Sequence, residues 1–313
     1  MPQRPRRKAR FAALLACALA AAAAASGCQK RGERRDEPAG LTLTLLDEGR
    51  EPRRALRYPD DPPDEQRLSL TLRVSMKAEA PGSPIPPVAM PGLRLLLDVA
   101  ARRQGSLLRH ELTVTDADLT GADAAHPTMV AGMRKGLDSL VGAAAVVSID
   151  ERGFQHELSL GLPGGLGPEL TQFMEAARIA LGDLALPLPD EAIGVGAKWQ
   201  VERTLDQGGV AVKEKTYYEL IAAEGTRVQV RTRTVQSAEG QRAALAGLPP
   251  GVSAEVLSLR GAGAGEVEID LRRLVPTSAR EEIETDVSFA IVQGETERVM
   301  SLTSTAGLEV QAL

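Results

Sequence analysis

From Leu68 to Lys77 every even-numbered residue is apolar and every odd-numbered one polar, in the order Leu68-Ser69-Leu70-Thr71-Leu72-Arg73-Val74-Ser75-Met76-Lys77. Successive side chains of an extended chain point to opposite faces, so this run makes a strand with one dry and one wet face. The same period of two returns at Leu41 to Leu45, Leu93 to Ala101, Leu108 to Val114, Val146 to Ile149, Gln155 to Leu160 and Trp199 to Leu205. It continues at Val210 to Leu220, Arg227 to Val235, Val256 to Leu259, Val267 to Leu271, Ala279 to Ile291 and Arg298 to Val310. Turn-forming breaks such as Asp150-Glu151-Arg152-Gly153, Asp206-Gln207-Gly208-Gly209 and Glu224-Gly225 predict hairpins between neighbours.

Two segments depart from this pattern. Leu170, Phe173, Met174, Ala177, Leu181 and Leu184 fall on one helical stripe that starts at Pro168, a residue suited to a first helical turn. Met129, Met133, Leu137, Leu140 and Val141 do the same from Pro127, although Gly132 and Gly136 weaken that helix. The fold class expected is mainly β: a large curved antiparallel sheet or unclosed half-barrel, with amphipathic helices at about 127–141 and 168–184 packed on its concave face. Apolar residues are 43% of the chain but aromatics only 3%, so the core must be built from Leu, Val, Ala and Ile. Ala80 to Pro91 carries five prolines and cannot be a regular strand. Residues 41–313 read as a single domain, with Leu186-Pro187-Leu188-Pro189-Asp190 as a possible joint.

The N-terminus has another character. Arg4, Arg6, Arg7, Lys8 and Arg10 precede an apolar run from Phe11 to Ala25 and then Ala25-Ser26-Gly27-Cys28. The run is shorter than the ~20 residues of a membrane span, and a small-small-Cys junction follows it. Residues 1–27 are therefore expected to be a lipoprotein signal peptide, with lipid attached to Cys28; simple secretion is the alternative. Polar residues 28–40 read as a flexible tether. Gln29, rather than Asp, next to the anchor points to the outer membrane, facing the periplasm. Cys17 would leave with the signal peptide, so an acylated Cys28 leaves no thiol for a disulfide or a metal. The chain has 37 basic and 42 acidic residues, and residues 1–27 hold five basic and no acidic ones, which leaves the remainder at about −10. Such a surface does not suit nucleic acid, and membrane contact is expected through the anchor.

The stretch Leu188-Pro189-Asp190-Glu191-Ala192-Ile193-Gly194-Val195-Gly196-Ala197-Lys198-Trp199, then Tyr217-Tyr218-Glu219-Leu220 and Gly263-Ala264-Gly265-Glu266-Val267-Glu268-Ile269-Asp270, resembles an uncharacterised family of bacterial exported lipoproteins. That family shares a Pro followed by V-G-x-G-x-x-W at a strand start, and a Gly-rich strand ending in Asp. The resemblance covers about residues 140 to 290 and rests on turn and strand residues, which say nothing about catalysis. In architecture, a curled sheet with helices also resembles the half-barrels of Lol-type carriers and mycobacterial lipid-binding lipoproteins, which implies an apolar concave groove.

No catalytic constellation emerges from the residues. His110-Glu111-Leu112 and His156-Glu157-Leu158 lack the second His that a helical metal motif needs, and both are expected on outward faces of strands; they could meet only if those strands were neighbours. Gly261, Gly263 and Gly265 do not make a dinucleotide loop, since Glu266 follows and strand alternation continues. No Gly-x-Ser-x-Gly elbow occurs. The expectation is a non-enzymatic envelope lipoprotein with no cofactor and no metal. It would carry a lipid or acyl chain in a groove lined by Met129, Met133, Leu137, Phe173, Met174, Leu181 and Trp199. Trp199 reads mainly as a core anchor. The alternative is an envelope scaffold that meets protein partners through its surface; a hydrolase with an unrecognised site stands last.

Overall fold

The computed structural model describes residues 40–59, 65–80, 83–84, 88–207, 209–243, 252–273, 275–293 and 296–313. Residues 1–39, with the expected signal peptide at 1–27, Cys28 and most of the expected tether at 28–40, lie outside the described residues. The strands are β1 (Leu41–Asp47), β2 (Glu65–Ala80), β3 (Ser83–Pro84), β4 (Val88–Ala89), β5 (Gly92–Gln104), β6 (Leu107–Thr120), β7 (Ala144–Ile149) and β8 (Gln155–Gly161). They continue with β9 (Lys198–Gln207), β10 (Val210–Glu224), β11 (Arg227–Ala243), β12 (Val252–Asp270), β13 (Ser278–Gln293) and β14 (Thr296–Ala312). Two helices, α1 (Pro127–Leu140) and α2 (Pro168–Gly182), occupy the segments where a period of 3.6 replaces that of two.

The described strands form one antiparallel sheet in the order β1-β9-β10-β11-β12-β13-β14-β2-β5-β6-β7-β8, with β3 and β4 beside β2. It is mainly β, curved and not closed into a barrel. Most steps are hairpins between consecutive strands. The exceptions matter: β14 returns to β2 in the middle of the sheet, and β1 lies outside β9 at its rim.

β1 and β8 are the two free edges. Loop segments tie them rather than strand pairing. Gly194 N donates to Glu48 O at 2.9 Å and Arg50 N to Val195 O at 3.0 Å, and Arg54 pairs with Ile193. Across the gap Tyr58 N donates to Glu151 O at 2.9 Å and Leu188 N to Arg152 O at 2.8 Å, both in the β7–β8 turn. The Tyr58 hydroxyl, buried, accepts from Leu186 N at 2.7 Å. Leu186-Pro187-Leu188-Pro189-Asp190, expected as a possible joint, thus lies in a segment, residues 184–194, that forms a strap across the mouth of the half-barrel.

Two apolar clusters fill the concave side. The larger combines α1 and α2 with β2, β5–β7 and the ends of β9–β12 and β14. The smaller contains Met76, Ala78, Val210, Val212, Ala238, Val256, Leu259, Val287, Phe289 and Leu302, all from β2 and β10–β14. Its members are the inward positions of the long strands beyond the reach of the helices.

Three expectations change. Val256–Leu259 and Val267–Leu271 are one strand, since β12 runs unbroken through Gly261, Gly263 and Gly265. The glycines are held there by crowding: a Cβ at Gly263 would lie 2.5 Å from Ile283 Cγ1, and one at Gly265 2.7 Å from both Arg280 O and Thr232 Oγ1. Parts of the proline-rich segment pair with β2 as the two short ladders β3 and β4. His110 faces inward and is only 3% exposed, because it shares the even-numbered face of β6 with Leu108, Leu112 and Val114.

Candidate functional site

The inward face of β10 reads Val210, Val212, Glu214, Thr216, Tyr218, Leu220, so its apolar series is interrupted midway by polar residues. Registration carries that interruption across the sheet. Glu214 lies opposite Arg203 on β9 and Gln236 on β11, and Thr216 opposite Thr234. Opposite Thr232, Thr234 and Gln236 stand Gly265, Gly263 and Gly261 of β12. On β13, Glu281 and Ile283 follow opposite Gly265 and Gly263. A polar band therefore crosses the concave face between the two apolar clusters, and its side chains fill the space beside the glycines.

Above this band lies a cavity of about 240 Å³. Its other wall is the stripe Ala176, Ile179 and Ala180 of α2, with Leu184 beyond the helix end. Leu72, Val74, Ile283 and Leu308 complete the apolar side. The two alanines are short where Leu or Phe would fill the gap.

The polar side is an organised network. Arg203 donates from Nη1 and Nη2 to the two carboxylate oxygens of Asp183, at 2.6 and 2.8 Å, and from Nε to Glu214 Oε1 at 2.7 Å. Gln236 Nε2 donates to Glu214 Oε2 at 2.7 Å. Thr216 and Thr234 hydroxyls lie 3.2 Å apart, and Thr234 donates to Glu281 Oε1 at 3.0 Å. Asp183 caps the C-terminus of α2, where the helix dipole disfavours an anion, and the bidentate Arg203 offsets this. Burial opposes the Arg203 charge, but Asp183 foremost, and then Glu214, hold it well above the ordinary arginine range. Burial first, and then the Asp183 carboxylate, push the Glu281 carboxyl up, against the Thr234 hydroxyl.

Met133, Phe173, Met174 and Leu181 are core, each at most 2% exposed, with Met129 and Leu137 packed against them. None of these six lines the cavity, and neither does Trp199. The stripe singled out from the sequence buries itself in the main cluster, and its neighbour, one residue earlier along the helix, faces the open space. Trp199, fully buried, stacks on Tyr218 with ring centroids 5.4 Å apart and donates from Nε1 to Pro187 O at 2.9 Å. It anchors the strap, and its partner Tyr218 reaches the cavity. Gly194 and Gly196 explain the motif: a Cβ at Gly194 would overlap the Arg50 carbonyl, and Gly196 has φ +89°. Asp270, ending the glycine-rich strand, accepts from Arg272 Nη2 at 2.7 Å and closes a turn.

The histidines do not meet. β7 separates β6 from β8, and His156 Nε2 lies 3.3 Å from Asp150 Oδ2 in the β7–β8 hairpin. His110 Nε2 is buried without a partner among the described residues, and desolvation lowers its pKa to about 4. Among the described residues no cluster of three or more His, Cys, Asp or Glu is placed to hold a metal. No described helix is long and apolar enough to cross a membrane. The period-two series of β10 and β11 carried the signal for the polar band, at Glu214-x-Thr216 and Thr232-x-Thr234-x-Gln236. Comparison with protein-family models and with curated proteins finds no match.

Proposed function

We propose that this chain is a non-enzymatic lipoprotein of the cell envelope, held at the outer membrane through Cys28 and facing the periplasm, that binds an apolar ligand between α2 and the sheet. The cavity carries this reading. At about 240 Å³ it lies just below the ~300–1,000 Å³ of common small-molecule sites, so it suits one short acyl chain rather than a whole two-chain lipid. Its lining is largely aliphatic, with a few convergent polar groups at one side, as such sites require.

Ala180→Phe places a bulky ring in the cavity. With the full chain carrying Cys28→Ser, native mass spectrometry should detect a co-purifying or added medium-chain amphiphile, and Ala180→Phe should abolish it. A chain that takes up none overturns the carrier reading. Labelling in cells with an alkyne fatty acid should mark the wild type and not Cys28→Ser. A second reading, an envelope scaffold acting through its surface, is favoured by the unpaired edges of β1 and β8, where Leu46 is 52% exposed. Cross-linking from Leu46 in cells should then capture an envelope protein.

A further inference from the structure

The cavity is uneven in charge. Its inward-facing ionisable groups are Arg203, Asp183, Glu214, Glu281 and the Tyr218 phenol, which burial keeps neutral. Arg203 is paired with two of the three carboxylates, donating from Nε to Glu214 and from Nη1 and Nη2 to Asp183. Among the described residues no cation pairs with Glu281, whose polar partner is the Thr234 hydroxyl. Arg73 and Arg280 border the same space, but alternation turns their side chains to the convex face, where Arg73 pairs with Glu309 at 2.9 Å. The C-terminal carbonyls of α2 add partial negative charge at the same place.

Thr232 supplies an independent sign of a ligand. It is 7% exposed, lines the cavity, and its hydroxyl has no hydrogen-bond partner among the described residues. The hydroxyl itself is open to the cavity, where an incoming group can reach it. An incoming N–H or O–H group would find acceptors in Glu281 and Thr232. An incoming carboxylate would meet three carboxylates and no free cation.

We infer that the polar side of this cavity receives a hydrogen-bond-donating head, an ammonium before a hydroxyl, on an aliphatic body, and that it rejects fatty-acid anions. This rests on the ligand-binding reading above and names the ligand class. The test displaces N-phenylnaphthylamine fluorescence from the full Cys28→Ser chain at pH 7 with decylamine, decanol and decanoate, which share one chain length. Decylamine should displace the probe at about tenfold lower concentration than decanoate, with decanol between, as one charge contact largely screened by water would give. Glu281→Gln should erase most of the gap between decylamine and decanol and leave decanol unchanged. Decanoate binding as well as decylamine overturns the inference and leaves the carrier reading standing. Probe binding that none of the three competes for overturns both. Should Glu281→Gln fail to fold, Thr232→Val reads the same contact, by weakening decanol and decylamine and sparing decanoate.

Discussion

The helix-covered end and the strand-only end of this sheet use the same alternation and reach different results. Under α1 and α2 the inward side chains meet a second layer, and large residues such as Trp199, Phe173 and Met174 close the space completely. At the far end, Val210, Val212, Val256, Phe289 and Leu302 are buried to 6% exposure or less in a cluster drawn from strands alone. Curling lets neighbouring strands cover one another's inward residues there. Where the two regimes meet, neither filling works. α2 ends at Gly182 with alanines on its inner stripe, the sheet offers polar residues, and a cavity remains. A half-barrel of this kind opens a site where its covering layer stops.

The largest effect is expected at Trp199, under the helices. Trp199→Ala removes a fully buried ring, its stack on Tyr218 and the donor to Pro187, and should cost about 3–5 kcal/mol in urea unfolding. Phe289→Ala, at the strand-only end, should cost about 3 kcal/mol and shift the same single transition. A separate transition would show that the two ends fold apart. Next is pH. His110 lies under the helix-covered end with a folded-state pKa of about 4, below the ordinary 6.5, so the unfolded chain takes up its proton first. Its contribution is full above pH 6.5 and is lost as pH falls toward 4, by up to about 3 kcal/mol, and His110→Leu should flatten that slope.

Smaller effects sharpen the boundary between the ends. Arg203→Met leaves Asp183 and Glu214 without a cation beside the cavity and should cost about 2 kcal/mol, less than a fully buried pair because Arg203 stays partly exposed; adding Glu214→Gln should restore part of it. Gly263→Ala pushes a methyl against Ile283 and should cost about 1–2 kcal/mol in thermal unfolding, relieved by Ile283→Val.

Much of the scaffold was legible in local pattern. Alternation in Leu68–Lys77 gives β2, and the stripes from Pro127 and Pro168 give α1 and α2, because periods of two and 3.6 are properties of the backbone itself. The glycine run 261–265 misleads, since glycine breaks strands in isolation but fits one whose neighbours already fill its side-chain space. His110 misleads for a related reason: its polarity suggests an outward face, yet its even position on β6 places it inside.

Residue order alone thus determined which segments extend, which coil, and which face of each stays dry, since those follow from side-chain spacing along one chain. The cavity belongs to tertiary structure. Asp183, Arg203, Glu214, Thr234 and Glu281 are up to 98 residues apart, and they share a wall only because strand registration aligns their polar interruptions beneath the end of α2. That alignment depends on long-range pairing, which no local period encodes.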